Sequence, residues 1–175
     1  MKWNRLSLTI AGGISMLGWL FLFGAGLLVN SEPYRTAVGT SFTAKAFMVS
    51  ILTYTPTNVA LLTMAAALCG GCSSGILAST GRTKKPEEQD SEGNVEVWSE
   101  DGFENPVASI IRGFVVYVAF LGGVYISTDQ PFAHASPEQY ARTAGAISLL
   151  AFLVGFDQAV FRNLLKLGTG KGKGG

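Results

Sequence analysis

Residues 53–75 read Thr53-Tyr54-Thr55-Pro56-Thr57-Asn58-Val59-Ala60-Leu61-Leu62-Thr63-Met64-Ala65-Ala66-Ala67-Leu68-Cys69-Gly70-Gly71-Cys72-Ser73-Ser74-Gly75. A polar hexapeptide runs directly into an uncharged apolar stretch that contains a Cys-x-x-Cys pair. Proline at the first position of a helix lacks only an amide that would be unpaired there in any case, so Pro56 is placed to open a helix with Thr55 or Thr57 as its cap. From Pro56 to about Leu77 that helix spans about 33 Å at 1.5 Å per residue, enough for a hydrocarbon core of about 30 Å.

The apolar character begins earlier, near Ala46, and runs to Ser79. A single straight helix over those 34 residues would be about 51 Å long. Residues 46–54 are therefore set apart as a short piece that either lies at the interface or enters the membrane part-way. In the second case Thr53, Tyr54, Thr55, Thr57 and Asn58 would offer hydroxyls, an amide and freed carbonyls at depth, the arrangement of a polar path or substrate site. In the first, the bend is an elbow facing headgroups, with Tyr54 as its anchor.

The rest of the chain has the same character. Hydrophobic residues make up 48% and charged residues 14%, against about 25% charged in an ordinary soluble domain, and the hydrophobic residues are gathered into long runs. Four spans are expected, at about 6–29, 56–77, 107–128 and 141–163. The first follows Lys2, Trp3 and Arg5; it is longer than a signal-peptide core and ends in a poor cleavage site, so it reads as a retained span. The fourth is announced by Ser136-Pro137-Glu138-Gln139, a cap, a proline at the first position and a glutamine three residues on. It is expected to continue to about Leu167 and project beyond the bilayer.

Between Thr80 and Pro106 lie eight of the twelve acidic residues, which makes residues 80–106 the one aqueous loop, with Val95-Glu96-Val97-Trp98 as a short strand or docking patch. The tail, residues 168–175, is too glycine-rich to be ordered. With the N-terminus inside, ten basic residues fall on the cytoplasmic side and three outside, a clear positive-inside bias. The fold class is thus all-α: a four-helix transmembrane bundle in a plasma or bacterial inner membrane, with an acidic cytoplasmic loop and both termini cytoplasmic.

Apolar surface gives helices no reason to associate in lipid, so small residues that admit close backbone approach carry the packing information. Ala60, Thr63, Ala67, Gly70 and Ser74 form one such seam, and Ala141, Ala144, Ser148, Ala151, Gly155 and Ala159 form a second. They are expected to pack on each other or on copies of themselves, leaving Trp19, Leu20, Phe21, Leu22 and Phe23 mostly toward lipid. Arg112 and Asp157 are the charges expected at membrane depth, and their similar depth suggests an intramembrane ion pair.

Cys69 and Cys72 are the residues with redox associations. A four-span bundle with Cys-x-x-Cys resembles in outline the membrane thiol oxidases that pass electrons to quinones, which implies a reactive dithiol. This chain departs from them in having one cysteine pair, placed toward the reducing cytoplasmic side. His134 stands without the partners a zinc site needs, no cofactor is expected, and the acidic aqueous segment would repel nucleic acid. The expectation is a non-enzymatic membrane protein in contact with lipid, a homo-oligomer or a subunit of a membrane complex. As an oligomeric scaffold or pore-forming subunit it would engage a cytoplasmic partner through residues 80–106. The alternatives are a small transporter or ion channel using the Thr53–Asn58 bend or Asp157 and Arg112, and a thiol-redox protein using Cys69 and Cys72.

Overall fold

The computed structural model describes residues 4–28, 43–80, 105–127, 132 and 136–168. Its elements are α1 (Arg5–Leu28), α2 (Ala44–Leu52), α3 (Pro56–Thr80), α4 (Pro106–Ser127), α5 (Pro137–Phe156) and α6 (Gln158–Gly168), with no strand among the described residues. Helices α1, α3 and α4 are each long and apolar enough to cross a membrane, and α5 with α6 makes a fourth if that bent pair is one span. The described residues are therefore all-helical in their regular structure and compatible with a multi-pass membrane protein. Most of the acidic loop, with Val95–Trp98, as well as His134 and the tail beyond Gly168, lies outside the described residues.

Local chemistry sets the helix starts. Thr55 Oγ1 accepts the Asn58 amide at 3.2 Å, so Thr55, and not Thr57, caps α3 in front of Pro56. Asn105 Oδ1 accepts the Val107 amide at 3.1 Å ahead of α4, and Ser136 Oγ accepts the Gln139 amide at 3.1 Å ahead of α5. Each cap satisfies an amide that the first helical turn leaves without a partner.

Helix α3 is the hub, packing against α1, α2, α4 and α5. The two small-residue seams meet each other: Thr63, Ala67, Ala144, Ser148 and Ala151 are buried, and backbones approach where glycine leaves room. A Cβ on Gly155 would overlap the Ala67 carbonyl oxygen, and one on Gly70 would overlap that of Phe152. Glycine at these two crossings is what allows α3 and α5 to come into backbone contact.

Hydrogen bonds add to this packing. Ser15 Oγ donates to the Ala65 carbonyl at 2.7 Å, tying α1 to α3. Trp19 Nε1 donates to Ser148 Oγ at 2.9 Å, tying α1 to α5. Trp19 stacks on Phe23 with ring centroids 4.9 Å apart, and Phe23 on Tyr140 at 5.5 Å. This corrects the expectation that the bulky residues of α1 mostly face lipid. Leu20 and Phe21 are exposed, but Trp19, Leu22 and Phe23 turn inward against the core. A run of consecutive bulky residues necessarily covers both faces of a helix at 3.6 residues per turn.

The fourth hydrophobic segment also differs from the continuous helix expected to Leu167. It breaks at Asp157, which takes an extended conformation (φ −132°, ψ 117°), and α6 leaves α5 at 114°. Helix α6 therefore lies across the end of the bundle and does not project from it.

Candidate functional site

The bend between α2 and α3 is buried. Thr53, Tyr54 and Asn58 are inaccessible or nearly so, while Thr55 and Thr57 are half-buried. Each hydrogen-bonding group described here is turned toward protein. Thr53 Oγ1 donates to the Val49 carbonyl at 2.8 Å, and Thr55 Oγ1 donates to the Ser50 carbonyl, so the last turn of α2 is capped by the residues that end it. Thr57 stands on the first turn of α3, apart from this cluster.

Asn58 is the centre of the cluster. Its Nδ2 lies 2.6 Å from the Ile51 carbonyl oxygen and 3.5 Å from that of Leu22. Two carbonyls can be met only by the NH2 of the amide, so its oxygen faces the other way, toward the Tyr140 hydroxyl at 2.9 Å. That hydroxyl also lies 3.4 Å from the Leu22 carbonyl, but it has a single proton, and the shorter contact takes it. One side chain thereby links α1, α2, α3 and α5. Tyr54 closes the group, edge-on to Tyr140 at 4.9 Å and to Phe132 at 5.1 Å. Its ring is 4% exposed, so it packs in the core and is not a headgroup anchor.

Tyr140 and Gly26 are the members that sequence reasoning missed. A Cβ on Gly26 would overlap the Tyr140 hydroxyl, so glycine there makes the seat for the ring. Tyr140 stands one turn before Ala144 on the seam of α5, and extending that seam by four residues would have reached it.

Arg112 and Asp157 do not form an ion pair in this structure; instead, each serves the break between α5 and α6. Where α5 stops, the Val154 carbonyl loses the amide that a continuing helix would have supplied. Arg112 donates to it from α4 at 3.1 Å, bringing a cation to a helix C-terminus where the backbone dipole favours one. Asp157 is exposed, and its Oδ1 accepts the Ala159 amide at 2.8 Å, capping the start of α6. Among the described residues the ion pair that forms is Glu138–Arg142, at 2.6 Å on the surface of α5.

Asp157→Ala is therefore expected to cost about 1 kcal/mol through the lost cap. The corresponding measurement is amide hydrogen exchange across 157–165, which should quicken while exchange in α3 stays unchanged.

Cys69 is half-buried and Cys72 buried, both as free thiols. Cys72 lies against α1 where a Cβ on Gly12 would stand 3.1 Å from its own Cβ, so it fills space at the α1–α3 contact as a small apolar residue. Among the described residues, no group of three His, Cys, Asp or Glu side chains is placed to hold a metal ion. No family model matches the chain, and no curated protein or solved structure matches it either.

Proposed function

We propose that the chain is a non-enzymatic, four-span membrane scaffold subunit with both termini in the cytoplasm. On this reading it assembles with copies of itself through the outward face of α1 and engages a soluble partner through the acidic residues 80–106. The observation that supports the reading is how the polar groups are used. Ser15, Trp19, Asn58, Arg112 and Tyr140 are spent on tying helices together. Meanwhile α1 keeps Leu6, Ile10, Ile14, Leu17 and Phe21 outward, with open space beside Gly13 and Gly18. Bulky apolar residues interleaved with glycine suit close approach of a second helix in lipid.

The test is the mass of the particle in nanodiscs or mild detergent, together with capture of cytosolic proteins on the immobilised chain. A defined oligomer is expected, with a captured protein that is lost on deletion of residues 84–104. A particle that stays monomeric at all concentrations, with capture unchanged by the deletion, would sink the proposal.

A further inference from the structure

We propose that the groove between α4 and α5 holds an acyl chain of one zwitterionic phospholipid, whose phosphate sits on Arg142 and whose primary ammonium sits on Glu138. The groove has a volume of about 760 Å³ and two unlike ends. Val115 and Ala119 of α4, with Ala146 and Leu150 of α5, line its length, and Phe161 and Leu165 of α6 line it as well. Because α6 leaves α5 at 114°, it stands across the end beyond Leu150 and closes it. At the other end are Arg142 and Thr143, a cation and a hydroxyl in a lining that is otherwise apolar. The closed end selects the occupant. A membrane-crossing helix, such as one from a second copy of the chain, must run through the whole bilayer and would meet α6 part-way. An acyl chain stops at the midplane. From Arg142 to Leu150 the groove follows α5 for about 12 Å, close to half of a hydrocarbon core of about 30 Å. Its volume also falls in the range of small-ligand sites, about 300–1,000 Å³.

Charge complementarity selects the headgroup. Arg142 Nη2 lies 2.6 Å from Glu138 Oε1, and the two side chains are 80% and 74% exposed. The open end of the groove thus presents one cation and one anion, a helical turn apart, with no net charge. A purely anionic headgroup would gain Arg142 but also meet the Glu138 carboxylate. A phosphoethanolamine headgroup satisfies both: the remaining guanidinium N–H groups donate to its phosphate, and its ammonium donates to the carboxylate. The quaternary ammonium of phosphocholine has no N–H to donate. An exposed ion pair contributes little by itself, so opening it to admit the headgroup costs little.

The full-length protein is delipidated in mild detergent and offered equal amounts of dioleoyl phosphatidylethanolamine, phosphatidylcholine and phosphatidylglycerol, with bound lipid counted by native mass spectrometry. One lipid per chain is expected, with phosphatidylethanolamine ahead of either competitor by about five-fold, the scale of one exposed charge pair. Glu138→Gln should bring phosphatidylcholine to near parity, and Arg142→Gln should lower retention of all three. Ala146→Phe, at an exposed position lining the groove, should lower retention of every lipid without altering charge. The proposal is overturned by a preference for phosphatidylglycerol, by no preference, by a preference that survives Glu138→Gln, or by retention unchanged in Ala146→Phe. A two-chain mass that Ala146→Phe abolishes would also overturn it, giving the groove to a second copy. Glu138 and Ala146 are exposed positions two turns apart, so a folding defect in one variant leaves the other to decide. The proposal rests on the chain crossing a membrane, which insertion into phosphatidylcholine liposomes checks separately. Lipid is counted per chain whatever the oligomer, so this site and the scaffold reading stand or fall separately.

Discussion

Gly155→Val is expected to destabilise the protein by about 3 kcal/mol, the upper end of overpacking costs. The reason is what the added atoms would meet. At Gly155 a Cβ overlaps the Ala67 carbonyl oxygen and comes within 2.9 Å of the Ala67 Cα. Both are backbone atoms of α3, and backbone cannot rotate aside as a side-chain tip can. The helices must separate, and the buried contacts along the seam, among them Ala151 and Val154, loosen together. Gly145→Ala is the matched control, since a Cβ there meets nothing within 4 Å. Removing a glycine from the middle of that helix should stabilise it by up to about 1 kcal/mol. Unfolding in graded denaturing detergent measures both, and the opposite signs are the point. If Gly155→Val and Gly145→Ala behaved alike, the α3–α5 backbone contact would not be what holds these helices.

Asn58→Leu is expected to cost about 1–3 kcal/mol, the range for leaving buried partners without hydrogen bonds. Leucine has the branching and the heavy-atom count of asparagine and is the bulkier of the two, so the substitution opens no cavity and removes the polar contacts. The Ile51 carbonyl at the end of α2 loses its donor at 2.6 Å, and the Tyr140 hydroxyl loses its acceptor at 2.9 Å. Tyr140→Phe removes the hydroxyl while keeping the ring contacts with Phe23 and Tyr54. It should cost less, nearer the average of about 0.6 kcal/mol for interhelical hydrogen bonds in membranes. Carried out as a double-mutant cycle, the two substitutions should be sub-additive, because Tyr140→Phe has already given up the bond that Asn58→Leu breaks. Full additivity would mean that the two side chains do not share that bond in the membrane. In either single variant, hydrogen exchange at Ser50 to Thr53 should rise before exchange in the centre of α3, since Asn58 is the link between α2 and the bundle.

The helical segments were legible because each has a local cause. An uncharged run of about 20 residues cannot leave its backbone unpaired in lipid, and Pro56, Pro106 and Ser136-Pro137 mark helix starts through steric and capping effects that act within four residues. The close-packing seams were legible as well, since spacing at 3.6 residues per turn puts Ala67 with Gly70, and Ala151 with Gly155, on one face. The same rule left their partner open: a seam fits an equivalent seam on another helix or another copy equally well. The break at Asp157 carries a quieter signal. Asp157-Gln158-Ala159-Val160 reads as a capped helix start, but it is embedded in apolar residues that extend the preceding run, and run length outweighed it.

What the amino-acid order by itself determined here is the set of helices, their approximate ends and the surfaces able to come close. These follow from interactions between residues a few positions apart. The tertiary structure decided which seam meets which, and that Arg112 caps the Val154 carbonyl while Asp157 caps α6. It also decided that the polar bend is closed by a tyrosine 82 residues further along the chain. Those outcomes depend on hydrogen bonds and backbone contacts that exist only once distant segments are packed. Several alternative partners would satisfy the same local groups, and the choice among them is made by the close packing of the whole bundle.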